Sequence, residues 1–255
     1  MTKAKLQTLM KLQWVESLYP FFQTESFKKL SNKLAEDRKT TITYPAKENT
    51  FRVFNELDID EIKVVWYGQD CYHGCYYDNR PQAIGRAFAL DVTGEMNIQP
   101  SLRNILKEME SDIGSTIGFD YSMNHLVEQG VFLLNTSLTV TKGQPNSHSF
   151  YWKEFTKLVC ETLNKKDNLV HLMMGKDAQS LKKYFTNPTH KFVETAHPSP
   201  LATGFKGSKP FSLVNKLLKY DINWLDSPSN LSATNTYFIP QEEIEIIPPK
   251  DEKEE

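Results

Sequence analysis

Residues 62–70 read IKVVWYGQD: a run of β-branched and aromatic residues, 62–67, ends at Gly68 and is followed by two polar side chains. Such a run is typical of a strand that is buried on both faces of a parallel sheet. Three more runs of this kind occur, at residues 131–135, 170–175 and 191–196. Segments with helical spacing lie between or after them, at residues 101–110, 149–164, 178–185 and 211–219. The alternation predicts a single α/β domain whose central four-stranded, parallel, twisted sheet carries helices on both faces.

The two ends of the chain differ from its middle. Residues 12–36 have helical spacing in two pieces that break near Pro20. Residues 226–255 hold eight acidic and two basic residues, a net −6, which leaves +4 on residues 1–225 within a whole-chain net charge of −2. We expect residues 1–225 to form the folded domain and residues 226–255 to be a mobile acidic tail. The mildly basic body is compatible with contacts to a few phosphates.

Polar side chains stand where the predicted strands end. Asp70 and Asn135 stand at the ends of two of the predicted strands, and His197 stands at the end of a third. The carboxyl ends of parallel strands meet at one edge of a sheet, and ligands bind there in open α/β folds. We therefore expect a carboxylate, an amide and an imidazole to converge on one pocket. On position alone, Asp70 is equally well explained as a loop carboxylate that caps nearby N–H groups.

Five segments resemble motifs of the family 1 uracil-DNA glycosylases and occur in that family's order. GQDCYH (residues 68–73) is similar to the family's water-activating loop, whose usual pattern is GQDPYH. The other four segments are GRAF (85–88), QPSL (99–102), LLNTSLTV (133–140) and HPSPL (197–201). They are similar to the uracil-stacking segment, the proline-serine loop, the uracil-reading strand, and the loop with the histidine and the intercalating leucine. The resemblance covers about residues 10–225.

The resemblance implies an enzyme that hydrolyses the N-glycosidic bond of a flipped-out deoxyuridine in DNA, which releases uracil and leaves an abasic site. It implies that Asp70 orients water and stabilises positive charge on the sugar. It also implies that His197 donates a hydrogen bond to uracil O2. Asn135 would pair with uracil N3–H and O4, whereas cytosine presents the opposite pattern of donor and acceptor.

Further roles follow from the same resemblance. Tyr72 would exclude the methyl group of thymine, Phe88 would stack on the flipped base, and Gln69 would contribute backbone groups. Without the motifs, a tyrosine or phenylalanine at these positions would more commonly be a core residue. Both assignments therefore depend on the motifs. The residues expected to bind DNA are His73, Ser101, Ser199 and Leu201, the last as a wedge in the base stack.

The chain departs from the family's pattern in several loops. Cys71 replaces the usual proline, so the loop loses a fixed φ. The segment at residues 75–81 is longer than the family's usual link and carries three candidates for contact with DNA or a partner: Tyr76, Tyr77 and Arg80. Arg86 stands where leucine is usual. The loop after Leu201 is shorter and less basic, which favours single-stranded substrates.

The sequence predicts neither a cofactor nor a metal ion. Cys71, His73 and Cys75 are three potential metal ligands, but no second pair of ligands follows them, which argues against a zinc site. An odd number of cysteines suits a reducing compartment. No apolar run is long enough to span a membrane, and the N-terminus lacks the features of a secretory signal. We expect a cytoplasmic monomer.

Uracil-containing DNA, single- or double-stranded, is the expected partner, and a proteinaceous glycosylase inhibitor or a replication protein is a further expectation. Two alternatives stay open. One is a glycosylase-fold protein with weak or no catalysis that acts as a DNA-binding or polymerase-accessory subunit. The other is a glycosylase for a different lesion.

Overall fold

A computed structural model describes residues 1–91, 98–114, 120–218 and 220–225. The predicted acidic tail, residues 226–255, lies outside the described residues, so the division of the chain at residue 225 stays a prediction. Within the described ranges the helices are α1 Lys3–Gln7, α2 Leu12–Leu18, α3 Glu25–Thr40, α4 Arg52–Glu56, α5 Pro100–Ile113, α6 Asn124–Glu128, α7 Ser149–Leu163, α8 Lys176–Gln179 and α9 Pro210–Leu217. No helix in this part of the chain is long and apolar enough to cross a membrane.

The strands form two sheets. They are β1 Thr43–Tyr44, β2 Val64–Asp70, β3 Val131–Ser137, β4 Val140–Thr141, β5 Val170–Met174 and β6 Lys191–Thr195. The central sheet has four strands in the order β3-β2-β5-β6, and all of its pairings are parallel. β1 and β4 form a separate antiparallel pair. The predicted fold class and the predicted four-stranded parallel sheet are confirmed.

Both faces of the central sheet are covered, because successive side chains of a strand point to opposite sides. Trp66 in β2 contacts Phe211 of α9 and Trp224 on one face. On the other face, Phe132 of β3 stacks on Trp14 of α2 with ring centroids 5.2 Å apart. These aromatic side chains are almost completely buried, so they form a core on each side of the sheet. This two-sided burial explains why the strands read as continuous apolar runs.

The chain changes direction at β2, which places a crevice at the carboxyl end of that strand. From β2 it passes to β3 on one side, and it later returns to β5 on the other side. The connection after β2 runs towards one edge of the sheet and the connection after β5 runs towards the other, so a gap opens between β2 and β5, where open α/β folds bind ligands. The residues at the end of β2 therefore face the crevice where this type of fold binds ligands.

Some boundaries differ from the predictions. β2 and β3 continue through Asp70 and Ser137, because the ladder pairs Gly68 with Asn135 and Asp70 with Ser137 whatever their side chains. α5 begins at Pro100, one residue before the predicted start of its helical spacing at residue 101. Gln99 takes the cap, and Pro100, whose missing N–H has no partner to lose there, opens the helix.

The remaining elements follow the prediction more closely. The two N-terminal helical pieces are α2 and α3, and the 3-10 helix Tyr19–Gln23, which contains Pro20, separates them. The helix expected from residue 178 is only the short α8, which continues as the 3-10 helix Ser180–Tyr184.

Candidate active site

A cavity of about 180 Å³ lies at the carboxyl ends of the central strands. All the predicted catalytic and base-contacting residues line it: Asp70, His197, Gln69, Tyr72, Phe88 and Asn135. His73 and Ser101 also line it, whereas Ser199 and Leu201 are not among its lining residues. The expected convergence of a carboxylate, an amide and an imidazole is therefore present in the structure.

Asp70 is the last residue of β2, and its carboxylate is held from outside the strand. The backbone N–H of Asn146 donates to Asp70 Oδ2 across 2.7 Å. Burial raises the pKa of Asp70, and the Asn146 N–H together with the nearby His73 and His197 partly opposes that rise. Desolvation disfavours the charged form and so makes the carboxylate more basic than a free one. Such a group is suited to accept a proton from water.

His197 follows β6 and is fixed in one tautomer by its own loop. The backbone N–H of Ser199 donates to His197 Nδ1 across 3.0 Å. Burial lowers the pKa of His197, although Asp177 and Asp70 oppose this effect. A neutral imidazole whose Nδ1 accepts a hydrogen bond must carry its proton on Nε2. His197 therefore offers a neutral Nε2–H donor.

A glycine sets the position of that imidazole. Gly175 follows β5 directly and has a φ of 91°. A Cβ at this position would lie 3.0 Å from the Cβ of His197, so only glycine allows so close an approach without a shift.

Asn135 lies on β3 beside β2, with 5% of its surface exposed. Its Nδ2 donates to the sulfur of Cys71 across 3.6 Å. Its amide rests on the backbone of Gly68, where an added Cβ would lie 2.4 Å from Asn135 Oδ1. The glycine of the GQDCYH segment therefore makes room for the amide.

Tyr72 and Phe88 form two connected parts of the cavity wall. The Tyr72 hydroxyl donates to the backbone oxygen of Phe88 across 3.1 Å. Phe88 has a φ of 62°, which is rare for a side chain of this size. Its ring packs against Trp66 with centroids 5.2 Å apart, so a core residue supports it from behind.

Sequence reasoning missed the loop at residues 142–148, which closes one side of the site. Pro145 lines the cavity. Asn146 has a φ of 63°, and its Oδ1 accepts a hydrogen bond from Gln69 Nε2 across 2.8 Å. The sequence Gln144-Pro145-Asn146 signals a turn, and Asn tolerates positive φ, but neither fact shows which side chain the turn faces. Gln99 also lines the cavity and was given no role.

Arg86, which stands where leucine is usual, anchors the segment that leads to Phe88. Its guanidinium binds Glu56 at both carboxylate oxygens, over 2.8 and 2.7 Å. It also donates to Asn124 Oδ1 across 2.8 Å and to the backbone oxygen of Ser122. The side chain is buried, and a buried arginine requires such partners.

The residues expected to contact DNA lie at the rim. His73 is exposed, and Leu201 has 96% of its surface exposed. The backbone N–H of Ser199 donates to His197 Nδ1, which leaves the Ser199 hydroxyl for the expected contact with a phosphate. The Ser199 hydroxyl oxygen accepts from the Leu201 N–H across 3.3 Å and keeps its own proton.

The longer segment at residues 75–81 forms a small turn closed by a bridge between Cys75 and Pro81. Tyr76 is buried, with 7% of its surface exposed, so little of its ring is left for the expected contact with DNA or a partner. Tyr77 is 85% exposed. Arg80 is exposed and forms an ion pair with Asp78.

Neither a disulfide nor a metal cluster occurs in the described ranges. Cys71, Cys75 and Cys160 are free thiols. Within residues 1–91, 98–114, 120–218 and 220–225, no group of His, Cys, Asp and Glu could hold a metal ion.

Known proteins are similar to this chain in sequence and in fold. A family model described as the uracil DNA glycosylase superfamily matches residues 54–219. A uracil-DNA glycosylase of Bacillus cereus (strain AH187) is 38% identical over 227 residues, which cover 86% of this chain and 98% of the relative.

Two solved structures have the same fold at lower identity. Mimivirus uracil-DNA glycosylase has a TM-score of 0.78 at 22% identity and covers 89% of this chain and 90% of its own. A mimivirus UNG variant in complex with UGI has a TM-score of 0.77 at 22% identity and covers 89% of this chain and 92% of its own. The match of the family model and the identity to the Bacillus protein show that this chain belongs to the uracil-DNA glycosylase superfamily.

Proposed function

We propose that this chain is a uracil-DNA glycosylase, which hydrolyses the bond between C1′ of deoxyribose and N1 of a uracil that has been flipped out of DNA. The observation that carries the proposal is the convergence of Asp70, Asn135 and His197 on one cavity at the carboxyl ends of the strands. The similarity to proteins named uracil-DNA glycosylase over most of the chain supports it.

The reaction divides between the two catalytic residues. The C1′–N1 bond breaks, and its electron pair leaves with uracil, where negative charge spreads over N1 and O2. The His197 Nε2–H donates a hydrogen bond to O2 and stabilises that charge without transferring its proton. The Asp70 carboxylate stabilises the positive sugar, and water then adds to C1′ and gives a proton to Asp70. The products are an abasic site and uracil: Asp70 releases its proton to solvent, and the uracil anion takes one up.

Three side chains select the base. The Asn135 amide pairs with N3–H and O4 of uracil and is left unsatisfied by cytosine. The Tyr72 ring occupies the space that the C5 methyl of thymine would require. Phe88 stacks on the base and rests on Trp66. Gln69 lines the same cavity and contributes backbone groups.

The rim residues hold the DNA. His73, Ser101 and the Ser199 hydroxyl bind phosphates, and Leu201 enters the base stack at the position that the uracil leaves. The exposure of Leu201 supports this role, because a leucine side chain with 96% of its surface in water contributes little to the core. Both single- and double-stranded DNA are expected substrates.

The same rim is the expected binding surface for protein partners. We infer that a proteinaceous inhibitor can cover the rim, since a mimivirus relative is known in complex with UGI. We also expect the chain to act as a monomer inside the cell.

The test compares wild type with Asp70→Asn on oligonucleotides that contain one deoxyuridine, single- and double-stranded. We expect the variant to release uracil about 10²- to 10⁴-fold more slowly while its DNA affinity, measured by fluorescence anisotropy, stays similar. Asp78→Asn is the matched control, because Asp78 is exposed and pairs only with Arg80 in the described structure. It should keep the wild-type rate.

Each result has a defined meaning. Equal rates for wild type and Asp70→Asn would overturn the assignment of Asp70. A wild type that binds DNA but releases no base would favour the accessory protein, and release of thymine would favour a glycosylase for another lesion.

A further inference from the structure

Cys71 contacts the base-reading amide directly. The side chain is 3% exposed and follows Asp70 in the chain. Its sulfur accepts a hydrogen bond from Asn135 Nδ2 across 3.6 Å and donates its own proton to the backbone oxygen of Ser137, also across 3.6 Å. A proline at this position, as in the family's usual pattern, has no side-chain group that forms either bond.

The two hydrogen bonds of the Cys71 thiol determine which part of it, proton or lone pair, faces the Asn135 amide. A thiol has one proton, and here that proton is committed to the Ser137 oxygen. Burial raises the pKa of Cys71 and keeps the thiol protonated. The sulfur therefore presents a lone pair to the amide, and a lone pair attracts an N–H group but not a carbonyl oxygen.

The polarity of the thiol fixes the orientation of the Asn135 amide. If the amide turned over, Oδ1 would face the lone pair of the sulfur, and the bond to Nδ2 would be lost. In the observed orientation, Nδ2 keeps a second hydrogen, and Oδ1 accepts no hydrogen bond from any described residue. One donor and one acceptor thus remain, in a defined order.

That order distinguishes two pyrimidines. Uracil offers O4 as an acceptor and N3–H as a donor, whereas cytosine offers an N4 amino donor and N3 as an acceptor. Cytosine would require the amide to turn over and so to lose its bond with the sulfur.

We propose that Cys71 is a positioning residue that determines specificity: its thiol holds the Asn135 amide in the orientation that accepts uracil and rejects cytosine. This inference rests on the proposed function and assigns a role to a residue that departs from the family's pattern.

The experiment measures inhibition of excision by free uracil and by free cytosine, in wild type, Cys71→Ala and Cys71→Ser. We expect Cys71→Ala to weaken the binding of uracil about fivefold and to leave the binding of cytosine unchanged or stronger, so the ratio of the two inhibition constants falls. We expect Cys71→Ser to recover much of the ratio, because a hydroxyl can form both bonds. A merely structural role would lower the melting temperature without changing the ratio.

Controls separate the possible failures. Cys160→Ala removes another buried cysteine, on α7, and should leave the ratio unchanged. Cys71→Val, which fills the site without hydrogen bonds, should behave as Cys71→Ala and replaces it if that variant does not fold. An unchanged ratio in an active Cys71→Ala or Cys71→Val variant would overturn this inference alone. A wild type that neither excises nor binds uracil would overturn the proposed function.

Discussion

Asn146 binds both Asp70 and Gln69: its backbone N–H donates to Asp70 Oδ2 across 2.7 Å, and its side-chain Oδ1 accepts from Gln69 Nε2 across 2.8 Å. The residue achieves this at a φ of 63°. One turn therefore positions the proposed catalytic carboxylate and closes the cavity wall beside it. The backbone shape at Asn146 should matter more than its side chain.

Asn146→Gly and Asn146→Ala separate these two contributions. Glycine keeps the positive φ and the N–H, so we expect its rate of uracil release to fall only a few-fold. Alanine is strained at this φ by about 1 kcal/mol, so it should displace the N–H and lower both the rate and the melting temperature further. Single-turnover kinetics and thermal unfolding measure the two effects. Equal losses in both variants would mean that the side-chain contact to Gln69 is the important one.

The loss of activity at acidic pH should report the pKa of Asp70. The proposed reaction requires the Asp70 carboxylate to be ionised, and burial raises its pKa above that of a free aspartate, about 3.9. Activity is therefore expected to fall as the pH drops through this raised pKa. Because burial lowers the pKa of His197, its imidazole stays neutral at neutral pH. We therefore expect activity to be constant around neutral pH. A profile of kcat/KM that stays flat down to about pH 4 would contradict the assignment.

Asp70→Asn should stabilise the fold at neutral pH. A carboxyl whose folded pKa is raised favours the protonated folded state, so wild-type stability is lost as the pH rises through that pKa. Asparagine carries no charge to desolvate, and its Oδ1 can still accept the Asn146 N–H. We expect a higher melting temperature for the variant at neutral pH, and no difference below the unfolded pKa of about 3.9. A variant less stable than wild type at neutral pH would exclude a desolvation cost at Asp70.

Leu201→Ala should separate DNA processing from folding. The side chain is 96% exposed, so we expect the unfolding free energy to change by less than about 0.5 kcal/mol. Excision from duplex DNA should fall about tenfold, and excision from single strands much less, because only the duplex has a stack to fill. Leu12→Ala, an exposed leucine on α2, is the control and should affect neither substrate. Equal losses on the two substrates would contradict the wedge role.

The sequence predicted the parts of the fold that depend on local pattern. The β2 and β3 runs are apolar throughout because both faces of the sheet are covered, so their existence was readable although their ends were not. The ladder carries β2 on to Asp70, where side-chain character no longer indicates a strand.

The site was predictable where motifs mark it and not elsewhere. Asp70, Asn135 and His197 stand at strand ends, and topology alone brings strand ends together. Asn146 and the Arg86–Glu56 pair depend on loops that meet only in three dimensions, and no periodicity reports such contacts. The use of the Ser199 N–H by His197 is likewise a matter of loop geometry.

The bond from the Tyr72 hydroxyl to the Phe88 carbonyl makes two functions of the pocket inseparable. A smaller side chain at position 72 that admitted a larger pyrimidine would also release the backbone of Phe88, the proposed stacking residue, which holds an uncommon φ. A variant with relaxed selectivity would then also hold the Phe88 ring less firmly against the base. Evolution or design toward thymine release would have to rebuild both walls in the same step.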